Sequence, residues 1–148
     1  MGQQCIGVKA VILDGNSVLL MKRSDKYKRH GFSGAWDIPG GRIQFGEEPV
    51  AALRREVKEE TGMELKNIVK TLDARTVFLD NNMQIVRITF LCTTDDSMVR
   101  LSDEHTEIKW FDLNNIDVAL KDKELKSVLD ALRKELNPSG GTSNETVF

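Results

Sequence analysis

Residues 41–63 read GRIQFGEEPVAALRREVKEETGM, and this stretch predicts one helix rich in carboxylates. Pro49 suits the first helical position, where its missing N–H is not needed, and Gly62 suits a left-handed cap after the last turn. The residues between them are mostly strong helix formers. We therefore predict a helix over residues 49–61. Three apolar side chains at helical spacing form its expected buried stripe: Val50, Leu53 and Val57.

Three glutamates of this helix share one face, because Glu56, Glu59 and Glu60 stand at positions i, i+3 and i+4. Like charges at this spacing destabilise a helix by roughly 0.2–0.5 kcal/mol per pair, and local conflicts of this kind often mark a working site. A hard cation such as Mg²⁺ takes oxygen ligands and bridges to phosphates. The pattern by itself therefore suits a metal site and a solvated acidic face about equally.

The spacing of the stretch resembles the motif of the Nudix hydrolases: G, five residues, E, seven residues, REUXEEXGU, with U aliphatic. This chain matches the motif at Gly41, Glu47, Arg55, Glu56, Val57, Glu59, Glu60, Gly62 and Met63. The resemblance, to the MutT-like branch, implies one domain over residues 1–136 with the family's α/β/α sandwich around a mixed β-sheet. It also implies hydrolysis of a nucleoside diphosphate linked to another group.

The resemblance assigns roles to the matched residues. Glu59 and Glu60 match the metal-ligand pair, and Glu56 matches either a further ligand or the general base. Glu47 matches an outer ligand, or a partner that ties the loop to the helix. Arg55 is expected to orient the carboxylates through charge-assisted hydrogen bonds, so the expected catalytic residues are Arg55, Glu56 and Glu59. The expected cofactor is Mg²⁺, with Mn²⁺ as a possible substitute.

Further site residues are expected outside the helix. Gly40 and Gly41 suit a loop whose backbone approaches the substrate closely. Arg23, in the basic run 22–30, resembles a phosphate-contacting arginine of the family, although such runs are usually solvated loops. Glu104 matches an acidic residue that completes the metal site. Three neighbours compete with it for that role: Asp103, His105 and Glu107.

Composition narrows the class of protein. The chain has 148 residues and a net charge of −2, which suits one globular domain without a basic field for nucleic acid. No run approaches the ~20 apolar residues of a membrane span, and the start lacks a signal-peptide pattern. Cys5 and Cys92 are expected to be thiols in a reducing cytosol. We expect a cytoplasmic monomer or homodimer that acts on small nucleotides and binds neither nucleic acid nor membrane.

Segments rich in β-forming residues, turn signals and one amphipathic stripe place the remaining elements. Glu124–Leu136 is predicted as an amphipathic helix, and residues 137–148 as a disordered tail. Mixed strands with two helices predict an α+β fold. The predicted strands are Cys5–Leu13, Ser17–Met21, Ala35–Ile38, Ile68–Leu79, Met83–Thr93 and Ile108–Leu113.

The choice of substrate class is narrowed by two residue types that are absent at residues 76–79. Relatives that cleave ADP-ribose often have a proline about 15 residues beyond the motif, and dinucleoside polyphosphate hydrolases tend to have a tyrosine; residues 76–79 have neither. A MutT-like nucleoside triphosphatase that releases a monophosphate and pyrophosphate is therefore favoured. The alternatives are an ADP-ribose or nucleotide-sugar pyrophosphatase, a catalytically silent nucleotide-binding module, and a decapping factor, whose expected extra basic domain is absent.

Overall fold

The computed structural model describes residues 2–23, 35–95, 105–116 and 119–138, with Arg23, His105 and Thr106 described by their backbone alone. Seven strands of the described residues form one sheet, and two α-helices pack on it. None of the described helices is long and apolar enough to cross a membrane. The elements are β1 (Gln3–Asp14), β2 (Ser17–Arg23), β3 (Trp36–Asp37), β4 (Gly40–Arg42), α1 (Pro49–Thr61), β5 (Asn67–Asp80), β6 (Met83–Thr93), β7 (His105–Asp112) and α2 (Lys123–Leu136).

The sheet is mixed, and β1 lies at its centre. β1 pairs in parallel with β6 from Gln3–Met83 to Leu13–Thr93, and it pairs antiparallel with β2 and β4. β5 closes an antiparallel hairpin with β6 around residues 81–82, and β7 pairs with β2. The strand order is therefore β3-β2-β1-β6-β5, with β4 and β7 joined to β1 and β2.

Alternation along β1 separates two hydrophobic clusters, because successive side chains point to opposite faces of a sheet. Val8, Ala10 and Ile12 pack with Leu53 of α1. On the other face, Val11 and Leu13 pack with the apolar stripe of α2. Each helix thus covers one face of the sheet, which confirms the predicted α+β sandwich.

The boundaries of α1 agree with the prediction. Its C-cap Gly62 has φ 74° and donates its N–H to the Lys58 carbonyl at 2.8 Å. The prediction that Val50 is buried is wrong, since Val50 is 41% exposed. The buried side of the helix turns instead through Ala52, Leu53, Val57 and Glu60, so Val50 in the first turn lies outside the cluster.

The segment after residue 38 differs from its predicted loop, because Gly40–Arg42 forms strand β4. β7 begins at His105 rather than Ile108, and α2 begins one residue earlier than predicted, after the Asp122 N-cap. Asp122 accepts the Leu125 N–H at 3.1 Å. Residues 139–148, most of the predicted tail, lie outside the described residues.

Candidate active site

Two glycines of strand β4, Gly40 and Gly41, place backbone without side chains directly against β1. Gly40 pairs with Lys9 and Gly41 with Val8, and the Pro39 carbonyl accepts the Ala10 N–H at 2.8 Å. A Cβ on Gly40, whose φ is +153°, would lie 2.1 Å from the Val8 carbonyl oxygen. Only glycine fits this position, so the sequence Pro-Gly-Gly specifies the close approach of the two strands.

The end of α1 presents Glu60 to this strand. Glu60 is 5% exposed, and its Oε1 accepts the Gly40 N–H at 2.8 Å. Burial disfavours the charged form and raises the pKa of Glu60 to about 8, although the charge of Lys9 and the Gly40 hydrogen bond oppose this rise. Glu60 is therefore a buried carboxyl group whose charge is disfavoured mainly by burial.

Glu56 lies one helical turn earlier, against Gly41. A Cβ on Gly41 would lie 2.4 Å from the carboxyl carbon of Glu56, so the missing side chain makes room for that carboxylate. Glu56 Oε1 accepts a hydrogen bond from Arg55 Nη1 at 2.9 Å. Gly40 and Gly41 thus each contact one glutamate of the helix.

Arg55 connects the loop after β4 to α1. Its Nε and Nη2 donate to the two carboxylate oxygens of Glu47 at 2.8 and 2.9 Å, and Nη2 also donates to the Arg42 carbonyl at 3.2 Å. The Arg55 hydrogen bonds, with the Gln44 N–H, lower the pKa of Glu47 to about 2. The Glu47 carboxylate in turn raises the pKa of Arg55. This is the bidentate geometry that an arginine–carboxylate pair favours.

Of the described residues, the other expected metal ligands are not brought together with Glu56 and Glu60. The Glu59 side chain is 60% exposed, with Oε2 3.5 Å from Arg55 Nη1. No three His, Cys, Asp or Glu groups of the described chain are positioned to hold an ion as they stand. Glu104 and the side chain of Arg23 lie outside the described residues, as do Asp103 and the side chain of His105. Glu107 lies in β7, where its carboxylate is 3.9 Å from Lys22 Nζ.

The donor set nevertheless fits a hard divalent cation. Glu56, Glu59 and Glu60 offer only carboxylate oxygens, the ligands that Mg²⁺ prefers. A cation beside Glu60 would oppose the rise in pKa that burial causes and would favour the charged carboxylate. Glu59 is exposed enough to turn toward it by a change of rotamer.

Two charged residues beside this site, Lys9 and Asp37, were not identified from the sequence. Lys9 donates to Asp37 Oδ2 at 2.9 Å and to the Ile38 carbonyl at 3.3 Å, while Asp37 Oδ1 accepts the Ile38 N–H at 2.8 Å. The ion pair fixes the turn that leads into Gly40. Its signal in the sequence was a lysine at an inward position of β1, in phase with Val11 and Leu13.

Comparison with known proteins agrees with this geometry. The family model "NUDIX domain" matches residues 4–132. The chain is 30% identical over 130 residues to the ADP-ribose pyrophosphatase of Methanocaldococcus jannaschii, covering 86% of this chain and 73% of that one. It is 31% identical over 109 residues to the nucleoside triphosphatase NudI of Escherichia coli, covering 68% of this chain and 76% of NudI.

Solved structures give the same result. A MutT NUDIX hydrolase from Burkholderia pseudomallei superposes with a TM-score of 0.73 at 27% identity, covering 86% of this chain and 97% of that one. Nudix hydrolases generally need a divalent metal. The motif, the sandwich fold and the family match together show that this chain belongs to the NUDIX family and is a Nudix hydrolase, an enzyme that acts on phosphoanhydride bonds.

Proposed function

We propose that the protein is a MutT-like pyrophosphohydrolase that cleaves a nucleoside triphosphate to the monophosphate and pyrophosphate in a metal-dependent reaction. The observation that carries the proposal is the meeting of Glu56 and Glu60 with Gly41 and Gly40 at the end of α1. Carboxylates gathered beside the Gly40 and Gly41 backbone suit a cation that bridges to a polyphosphate.

Glu56, Glu59 and Glu60 would hold Mg²⁺, or Mn²⁺ in its place, with Glu47 as an outer residue and Glu104 joining from its loop. When bound, the cation neutralises charge on the phosphates and lowers the pKa of water. The proton of the attacking water passes to Glu56 or Glu59. Glu60, which accepts the Gly40 N–H, is the most buried of the three carboxylates.

Arg55 acts in this proposal by holding carboxylates in place. Its hydrogen bonds to Glu47 and Glu56 span the loop and the helix, so the loop cannot move without breaking charge-assisted bonds. Gly40 and Gly41 would contact the substrate through their backbone, and Arg23 supplies positive charge from the basic run 22–30. An intact set of glutamates argues against a silent binding module, because binding alone needs no metal cluster.

The rival substrate is ADP-ribose, which the M. jannaschii relative is named for cleaving. Against it, residues 76–79 lack the proline expected of that group, and the E. coli relative is named as a nucleoside triphosphatase. The two free thiols, Cys5 and Cys92, suit the reducing cytosol in which such nucleotides occur.

Specificity constants measured side by side test the choice of substrate. The panel contains normal and oxidised dGTP, the other triphosphates and ADP-ribose, each with saturating Mg²⁺. We expect a triphosphate to give the largest kcat/KM. If ADP-ribose is cleaved best by tenfold or more, which is ~1.4 kcal/mol in transition-state binding, the triphosphate proposal is wrong.

A further inference from the structure

A largely buried ion pair lies at the bend that leads into β4. Lys9 Nζ on β1 is 2.9 Å from Asp37 Oδ2 on β3, and the two side chains are 15% and 12% exposed. Ion pairs at such depth are weak evidence for stability, because the desolvation of both charges offsets much of their attraction. What distinguishes this pair is its contact with the backbone that connects β3 to β4.

The ion pair holds both backbone polar groups of Ile38, a residue that is 3% exposed. Lys9 Nζ donates to the Ile38 carbonyl at 3.3 Å, and the Ile38 N–H donates to Asp37 Oδ1 at 2.8 Å. Pro39 has no N–H, and its carbonyl accepts the Ala10 N–H at 2.8 Å. Every backbone polar group of these two residues therefore has a partner, which leaves the bend little freedom to move.

The bend sets the direction of the Gly40 N–H. This N–H and the Pro39 carbonyl belong to one planar peptide group, whose carbonyl faces Ala10 and whose N–H donates to Glu60 Oε1 at 2.8 Å. The stem of Lys9 lies beside the same peptide group, since a Cβ on Gly40 would be 2.7 Å from Lys9 Cδ. Rotation of this peptide group would take the donor away from Glu60. The contacts of the ion pair thus lie one peptide group away from the hydrogen bond to Glu60.

Building on the function proposed above, we propose that Lys9 and Asp37 are positioning residues of the metal site. They hold Ile38 so that the next peptide group presents the Gly40 N–H to Glu60, and they contact neither the cation nor the substrate. Replacing a partner that orients a metal ligand typically lowers metal affinity roughly 10- to 100-fold. A pair that only stabilised the fold would leave metal affinity unchanged in any variant that remains folded.

The test is a double variant of the full chain, Lys9→Met with Asp37→Asn. Methionine keeps an apolar stem beside Gly40, and asparagine keeps an oxygen that can accept the Ile38 N–H, so the group that is lost is the donor to the Ile38 carbonyl. Because one positive and one negative charge are removed together, the net charge near Glu60 is unchanged. We expect Mn²⁺, titrated by calorimetry without nucleotide, to bind at least ~10-fold more weakly than to wild type.

Hydrogen exchange of the Gly40 amide, followed by NMR in EDTA, gives a second readout that needs no metal. This amide should exchange faster in the double variant than in wild type, because its hydrogen bond to Glu60 is weakened. Amides of the β5–β6 hairpin should keep their protection. Lys9→Arg keeps a charged donor at the bend and should retain most of the Mn²⁺ affinity that the double variant loses.

The matched control is the double variant Arg87→Met with Asp122→Asn. This ion pair is buried to a similar degree, with side chains 15% and 16% exposed, but it joins β6 to the N-cap of α2. Asparagine caps a helix about as well as aspartate does, so the control should fold. It should leave both the Mn²⁺ affinity and the exchange of the Gly40 amide at their wild-type values.

The proposal is overturned if the folded Lys9→Met, Asp37→Asn variant binds Mn²⁺ as tightly as wild type, if its Gly40 amide keeps wild-type protection, or if the control loses as much affinity. A raised nucleotide KM at unchanged Mn²⁺ affinity would also overturn it, because the pair would then contact substrate. If the double variant does not fold, Asp37→Asn alone should weaken Mn²⁺ binding, and wild-type affinity there is equally contradictory. Pair-dependent Mn²⁺ binding by a protein that cleaves no triphosphate would contradict the proposed function alone.

Discussion

Replacing Glu60 with Gln should change how the stability of the metal-free protein depends on pH. Burial raises the pKa of Glu60 from its ordinary 4.5 to about 8. The folded state therefore holds a proton that the unfolded state releases above pH 4.5, so the free energy of unfolding must fall as the pH rises through this window. Glu60→Gln keeps the shape and an oxygen that can accept the Gly40 N–H, but it cannot titrate.

The size of this fall in the free energy of unfolding follows from the ordinary pKa of Glu60 and its pKa in the folded state. At 1.36 kcal/mol per pKa unit, the contribution of Glu60 to the free energy of unfolding should decrease by ~3.5 kcal/mol between pH 5 and pH 8. Below pH 4.5 the full contribution is present, and most of it is lost by pH 8. Groups elsewhere also titrate, so the informative quantity is the difference between wild type and variant.

Urea unfolding in EDTA at several pH values measures this difference by linear extrapolation. Glu59→Gln is the matched control, since it removes a carboxylate of the same helix whose side chain is 60% exposed rather than buried. Saturating Mg²⁺ should raise the stability of wild type at pH 8 by more than that of Glu60→Gln. If wild type and Glu60→Gln lose the same free energy between pH 5 and pH 8, Glu60 is not the buried carboxyl group described above.

Three further predictions concern strand β4, Arg55 and the C-terminal tail. Gly41→Ala should fold normally but lower kcat/KM by roughly 10- to 100-fold, because its Cβ would displace a flexible carboxylate 2.4 Å away; unchanged kinetics would contradict the placement of Glu56. Arg55→Lys should lower kcat/KM at least ~10-fold, since lysine cannot form the two-pronged bond to Glu47; a rate near wild type would refute its positioning role. A chain ending at Asn137 should keep its melting temperature and rate, because the removed residues are mostly polar or small; a drop of several degrees would show that Val147 or Phe148 packs on the domain.

The local features of the fold followed from the sequence. Pro49 and Gly62 marked both ends of α1 because one suits a first turn and the other a left-handed cap. The β-rich composition of Met83–Thr93, after a turn signal at residues 80–82, predicted the full extent of β6. These features depend on near neighbours in the chain, which a sequence displays directly.

Features that depend on distant pairing could not be predicted in this way. Gly40–Arg42 has poor strand propensity and becomes a strand by pairing with β1, more than 30 residues earlier. The parallel pair of β1 and β6 joins Gln3 to Met83, and it alone brings Lys9 beside Thr89. Charged residues at inward positions of strands, as at Lys9 and Arg87, were the available signal for the ion pairs that these residues form with Asp37 and Asp122.

The most direct test of the proposed function is the identity of the products formed from a nucleoside triphosphate, by wild type and by Glu60→Gln. With Mg²⁺, wild type should release the monophosphate and pyrophosphate, and EDTA should abolish the reaction. Glu60→Gln should be slower by at least ~100-fold while remaining folded. Release of a diphosphate and inorganic phosphate, or a near-wild-type rate for Glu60→Gln in Mg²⁺, would contradict the assignment.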